Sequence, residues 1–294
     1  MTTTGIAKLG HYGLLHAAGD DARTFLHTQL TNDIENLPPG QARYAGWCSA
    51  KGRLLATFLV IPIAGDFLLQ LSLDLAPAVA KRLSMFILRS KVKLVDVSGA
   101  WHQYGFYGPE AAATLDALGF KVPNGEWKVA ESAGAAVACV GADRYLLVAP
   151  PAAAAAAIQT TAGAEEWILA ELRAGRPMIA QQTQDQFVPQ MVNLELAGGV
   201  DFRKGCYPGQ EVVARAQYRG AVKRRMVRLR GAVLQPGQEL FSDDAPGQPS
   251  GTVVNAAGEE SLAVLQVSAI DAKSPIRTQP QAAALEILPL PYSQ

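Results

Sequence analysis

Apolar positions recur along the chain with two different periods, and the switches between them mark out its elements. In "GDDARTFLHTQLTND", Ala22, Phe25, Leu26 and Leu30 fall on one helical face. Asp20 or Asp21 is placed there to accept the first free amides, and Asn32 to end the helix. "YAGWCSAKGRLLATFLVIPI" is β-rich, broken by a Lys51-Gly52-Arg53 turn, and "GDFLLQLSL" follows as a strand. "PAVAKRLSMFILRS" returns to helical spacing, with Pro77 at its start and Val79, Leu83, Phe86 and Ile87 on one face. "KVKLVDVS" then reads as a strand with Lys91 and Lys93 pointing outward.

A second cycle begins with the strand "WHQYGFYG". Pro109 opens an alanine-rich helix that Gly119 closes, and "GAAVACVG" and "RYLLVAP" are strands. "PPAAAAAAI" predicts a helix, and "AEEWILAELRAGRP" another, with Glu165 and Glu166 at its positive end and Arg173 at its negative end. Two such cycles predict α+β modules. After about Lys223 the chain holds short β runs, frequent Gly and Pro, and no good helix, the pattern of a small all-β barrel or sandwich.

Composition narrows this little further. A chain of 294 residues, 49% hydrophobic and 18% charged, suits two or three globular domains rather than one. Basic and acidic residues number 26 each, so no whole-molecule field draws the protein to nucleic acid or membrane; such contact needs a local patch. No secretory or transit signal is readable in "MTTTGIAKLGHYGLLHAAGDD", and the longest apolar run, Leu54–Ala64, is too short for a bilayer and contains Pro62. No membrane contact is expected. Cys48, Cys139 and Cys206 are odd in number and far apart, giving neither a disulfide framework nor zinc spacing. A reducing cytoplasm is the simplest home. His11, His16, His27 and His102 show no ligand spacing, so no metal site is expected.

One segment carries chemistry: "DFRKGCYPGQEVVARAQYRG", residues 201–220. Pro208 falls at a first helical position and Gln210 two residues later, opening a helix in which Val212, Val213 and Ala216 pack. Cys206 is expected beside the unpaired amides of that first turn, with Arg203 and Lys204 upstream, all favouring thiolate over thiol. Gly205 and Gly209 permit tight turns or close approach. Cys48 and Cys139 lie in apolar strand-like settings and read as core.

"KGCYPGQEVVARAQYRGAVKR" resembles the signature of the YgfZ family of folate-binding proteins, relatives of the glycine-cleavage aminomethyltransferase. "FLHTQLTNDI", "AKGRLLATF", "LRSKVKLVDVS", "FVPQMVNLELAGGVDF" and "LPLPYSQ" stand in the family's order, so the resemblance covers essentially the whole chain. It implies an α+β, aminomethyltransferase-like fold, with two interleaved α/β modules around a folate pocket in residues 1–223 and a C-terminal β barrel in residues 224–294. It implies tetrahydrofolate or a derivative as ligand, and Cys206 as the reactive thiol, with Lys204 beside it. It also implies a role in maintaining iron–sulfur enzymes, with those enzymes or their assembly proteins as partners, and through them in tRNA modification. Trp167 and Tyr12 match aromatic positions of the family's folate site. Tyr207, Gln210, Glu211 and Arg215 complete the candidate set: Gln210 and Glu211 to hold the turn or reach the ligand, Arg215 among the cations near a glutamyl tail.

The sequence departs from its transferase relatives in two places. Their paired acids stand where this chain has Leu54, Leu55, Ala56 and Thr57. Apolar side chains cannot manage protons, so aminomethyltransferase turnover is not expected. Arg173 stands where an acid often pairs with the pterin's donor edge, which a donor-only guanidinium leaves unmatched; it reads equally as a helix C-terminal charge. Residues 215–230 hold seven Arg or Lys and no acid. They read as an RNA patch or, more simply, as a strand with Arg224, Arg228 and Arg230 facing solvent; no direct tRNA binding is expected. Two other functions remain open: a folate-dependent one-carbon transferase on an unidentified substrate, and a protein or RNA docking scaffold with a vestigial pocket.

Overall fold

The computed structural model describes residues 3–153, 158–218, 220, 222–245 and 247–292. In chain order the strands are β1 (Gly5–Lys8), β2 (Tyr12–Ala18), β3 (Arg43–Cys48), β4 (Leu54–Ile63), β5 (Asp66–Ser72), β6 (Lys93–Asp96), β7 (His102–Tyr107), β8 (Val129–Ser132), β9 (Ala135–Gly141) and β10 (Arg144–Ala149). They continue as β11 (Arg224–Arg230), β12 (Glu239–Ser242), β13 (Pro249–Ala257), β14 (Glu260–Gln266), β15 (Ile276–Arg277) and β16 (Glu286–Leu288). The helices are α1 (Ala22–Gln29), α2 (Ala76–Ser84), α3 (Ala111–Ala117), α4 (Glu165–Arg173), α5 (Gln210–Tyr218) and α6 (Val267–Asp271). The chain forms two compact units. The first takes Met1–Gln29, Asp33–Tyr44 and Phe58–Trp167; the second takes Leu30–Asn32, Ala45–Thr57 and Ile168–Gln294.

In the first unit β1, β7, β10, β9 and β8 form an antiparallel sheet in that order, and β4, β5, β2 and β6 pair antiparallel in another. Strand periodicity decides the packing. Leu146 and Val148 of β10, with Ala136 and Ala138 of β9, turn to a core shared with Leu14, Ile61 and Leu68. Leu147, Ala149, Ala135 and Val137 turn the other way, onto Phe106 and onto Ala111 and Leu115 of α3. Both faces of the sheet are covered, and its strands therefore read as nearly unbroken apolar runs.

In the second unit the six strands run β15-β12-β13-β14-β11-β16, all pairs antiparallel. Register shifts between Leu240 and Phe241 and between Val253 and Asn255 mark β-bulges, which bend strands and curl the sheet into a half-barrel. Leu229, Leu240, Val253, Leu265, Ile276 and Leu285 fill it.

Several expectations are corrected. Helix α2 ends at Ser84, so Phe86 and Ile87 lie beyond it, and Leu88 at φ 48° breaks the helical path. The Asp21 carboxylate accepts the Lys91 backbone N–H at 2.7 Å, tying α1 to the start of β6. Strand β8 was not foreseen, and α6 interrupts the all-β stretch. Of the helix expected in "PPAAAAAAI", residues 151–153 form a turn and residues 154–157 lie outside the described residues. Among the described residues no helix is long and apolar enough to cross a membrane.

Candidate functional site

The predicted site residues fall in two groups, one per unit. In the second unit the turn before α5 alternates inward and outward. Lys204 is buried, its Nζ donating to the Leu30 carbonyl at 2.8 Å and lying 4.8 Å from the centre of the Tyr207 ring. Tyr207 is buried as well, and burial, with Cys48 nearby, pushes its phenol above the usual range. Cys206 between them is exposed. Its neighbours anchor the turn from both sides and leave the thiol facing water.

The first-turn amides do not serve the sulfur as expected. The N–H groups of Gln210 and Val212 donate to the carbonyls of Tyr207 and Gly209, closing the turn on itself. The Gln210 side chain donates back to the Gly205 carbonyl at 3.5 Å. Glu211 and Arg215 project from α5 into solvent. The other two thiols are core: Cys139 is buried, and burial pushes Cys48 up to about 12.

A contact absent from any local pattern fixes this turn. Gly209 has φ 78°, and a Cβ there would lie 2.4 Å from the Ser49 carbonyl oxygen and 2.6 Å from the Gly52 Cα. Gly52 has φ 70°, and its own Cβ would meet the Val212 Cβ at 2.7 Å. The "AKGR" hairpin and the "YPGQ" turn thus pack glycine on glycine. The hairpin is held in turn by the Ser49 hydroxyl donating to Asp185 at 3.0 Å and by Arg53 donating to the Gln186 carbonyl at 2.6 Å. Asp185 carries no local mark of this role in the sequence, since it lies far along the chain from the hairpin it touches. Leu54, Leu55, Ala56 and Thr57 are buried, with the Thr57 hydroxyl accepting the Ile179 N–H.

Behind α5 lies a buried polar network. Gln190 donates to the Val213 carbonyl at 2.8 Å, and its own carbonyl accepts Arg225 at 2.9 Å. Arg225 also pairs with Glu195, and Asn193, in the left-handed region at φ 53°, bonds the Met226 carbonyl through its amide. Two more arginines of the basic run are paired: Arg230 with Glu286 at 2.6 Å and Arg228 with Glu260 at 4.0 Å. Arg173 donates through Nε and Nη2 to Glu260, joining α4 to β14. Its charge serves that pair, in line with a helix-end role.

In the first unit Trp167 is 2% exposed. Gly105 lies against the indole, where a Cβ would meet the ring at 2.4 Å, and the Arg144 guanidinium sits 4.9 Å from a ring centre. The indole foreseen as a stacking platform is a core side chain, because the absence of a side chain at Gly105 lets it settle onto the sheet. Tyr12 is half-buried and tilted against His11, ring centres 4.1 Å apart. Gln103 holds the Tyr12 carbonyl at 3.0 Å and accepts from Gln70 at 2.8 Å.

Nothing local in the sequence distinguishes His11 from the other three histidines. Its Nε2 is sequestered without a hydrogen-bond partner among the described residues, and burial lowers its pKa to about 4. A histidine that titrates near 6.5 when unfolded then takes up its proton in the unfolded state first. Its contribution is full above about 6.5 and is lost as pH falls toward 4. Between pH 7.5 and 5.5 stability is expected to drop by about 1.3 kcal/mol from this group. Urea midpoints across that range test it: His11→Phe flattens the slope, and an unchanged slope would refute the assignment.

Comparison with known proteins gives this geometry its context. Residues 1–145 match the GCVT N-terminal domain family. The tRNA-modifying protein YgfZ of Edwardsiella ictaluri is 31% identical over 307 residues, covering 98% of this chain and 92% of the relative. Its counterpart from Klebsiella pneumoniae is 30% identical over 304 residues, covering 98% and 93%. The crystal structure of the glycine cleavage system aminomethyltransferase T from Bartonella henselae matches with a TM-score of 0.74 at 17% identity, over 99% of this chain and 87% of that one. The likeness to the transferase is one of fold, aminomethyltransferase-like and α+β. The two curated relatives go further, since they match at this identity over nearly the full length: the chain belongs to the YgfZ family.

Proposed function

We propose that this protein is a cytoplasmic, folate-binding accessory factor that supports the assembly or repair of iron–sulfur enzymes, and touches tRNA modification only through them. The observation that carries the reading is the thiol turn. Cys206 is the one exposed cysteine, held outward between two buried anchors, Lys204 and Tyr207. A fold that places both neighbours inside and one nucleophile outside presents that nucleophile to something else.

The first unit's residues fit a reduced folate in part. Tyr12 is only half-buried, and the His11 Nε2 beside it has no hydrogen-bond partner among the described residues, as a polar-edged heterocycle requires. Trp167 offers no open face. When bound, a reduced folate supplies a one-carbon unit or a reducing pteridine. The chain's own part is to orient the ring at Tyr12 and to hold the Cys206 sulfur fixed and accessible.

The test is Cys206→Ser in a strain lacking the native copy. Iron–sulfur enzyme activity in extracts is expected to fall to the level of the deletion, while calorimetric binding of tetrahydrofolate stays saturable and one-site. Full activity with serine would remove the thiol from the function, and no binding by the reduced wild-type protein would remove the folate.

A further inference from the structure

Just past α2, apolar side chains are exposed to water. Met85 is 64% exposed and Leu88 89%, with Phe86 at 43% and Val95 of β6 at 37%. Leu88 also has φ 48°, a left-handed conformation unfavourable for any residue with a Cβ. The turn is nonetheless well tied: the N–H groups of Phe86, Ile87 and Ser90 donate to Leu83, Ser84 and Ile87 at 3.1, 3.2 and 2.8 Å. A rigid, strained turn thus holds a leucine almost wholly in water. Strain of this kind collects at sites that meet a ligand or partner.

Cations flank the tip. Lys81 lies one helical turn before Met85, Arg89 follows Leu88, and Lys93 is on β6; all three are exposed, and none of their side chains has an ion pair or hydrogen bond among the described residues. We propose that Met85 and Leu88, flanked by Lys81, Arg89 and Lys93, form a docking face for another protein, one with an apolar socket in an acidic surface. The inference rests on the accessory reading above, because a factor that supports other enzymes must meet a protein.

The charge pattern selects a protein over other anionic surfaces. Asp20, its side chain 80% exposed, pairs at 3.4 Å with Lys91 in the same region, and Asp96 of β6 is exposed beside Val95. A bilayer or a nucleic acid is anionic everywhere and would meet these carboxylates as like charges. A protein face can be acidic opposite Lys81, Arg89 and Lys93 and neutral or basic opposite Asp20 and Asp96.

Leu88→Asp tests the proposal in the full-length chain. It is expected to leave the melting temperature and the alkylation rate of Cys206 unchanged, and to lower iron–sulfur enzyme activity in the complemented strain tenfold or more. A benzophenone amino acid in place of Leu88 is expected to give one heteromeric photoproduct, lost on Lys81→Glu, Arg89→Glu, Lys93→Glu substitution. Full activity with Leu88→Asp, or no photoproduct, overturns the docking face. So does binding of the purified wild type, lost in Leu88→Asp, to phosphatidylglycerol vesicles or to tRNA, or a Leu88-dependent homodimer in light scattering. If the wild-type protein itself restores no enzyme activity, the accessory reading fails instead, and the charge-dependent photoproduct alone decides the docking face.

Discussion

Gly209→Ala destabilises the protein by about 3–5 kcal/mol and frees the thiol turn from its hairpin. Two separate costs combine. At φ 78° any Cβ is strained, by roughly 1–2 kcal/mol for a left-handed residue. In addition the new methyl would lie 2.4 Å from the Ser49 carbonyl oxygen and 2.6 Å from the Gly52 Cα, both backbone atoms that cannot rotate away. Gly198→Ala is the matched control. Its φ of 75° carries the same strain, but nothing lies within 4 Å of the added Cβ. It is expected to cost only about 1 kcal/mol. Gly52→Ala falls between them, since its nearest obstacles, the Val212 Cβ at 2.7 Å and the Gly209 carbonyl oxygen at 3.1 Å, are fixed but less close than those at Gly209. Urea unfolding gives the three energies, and native-state alkylation of Cys206 shows whether the turn has moved. Equal costs at positions 209 and 198 would mean that the glycine contact does not constrain the turn.

How far these features were legible in the sequence follows from how local they are. The strands of the first unit announced themselves because both faces of their sheet are covered, which demands apolar runs such as "RYLLVA". The thiol turn was also readable, since Pro208, Gly209 and the following helix leave local marks. Helix α2 was overextended because Met85, Phe86 and Ile87 continue its apolar spacing; spacing cannot report that Met85 and Phe86 face water. Strand β8 has four residues, two of them Glu131 and Ser132, too few and too polar to signal a strand. Trp167 matched an aromatic ligand position, yet an aromatic on an amphipathic helix has the same pattern whether it meets a ligand or a sheet. The decisive neighbour, Gly105, lies in another element. The Gly52–Gly209 contact and the carboxylate of Asp185 at Ser49 join segments far apart in the chain, and no local rule marks them.

The Arg225–Glu195 pair is a second such long-range feature, and its disruption has an effect of similar size. The Glu195 side chain is only 7% exposed and that of Arg225 20%, so both charges are held largely out of water. Burial raises the Glu195 pKa despite the pull of Arg225, so the guanidinium only partly offsets the desolvation. Removing one partner leaves the other charge buried alone. Arg225→Met is expected to cost about 3–5 kcal/mol. Replacing both, as Arg225→Met with Glu195→Leu, removes the stranded charge, but the Gln190 carbonyl and Asn193 Oδ1 still lose a donor. A residual cost of roughly 1–3 kcal/mol is expected from those acceptors. The double variant is therefore more stable than Arg225→Met alone, and a denaturant double-mutant cycle measures the difference. Strict additivity would show that the two side chains are not coupled. The network also reaches the thiol helix, because Gln190 donates to the Val213 carbonyl of α5 at 2.8 Å while its own carbonyl accepts Arg225. Arg225→Met should then raise the alkylation rate of Cys206 under native conditions, and the double variant should bring it part of the way back. An unchanged rate would confine the pair's role to stability, and the setting of the thiol would then depend on Lys204, Tyr207 and the glycine contact.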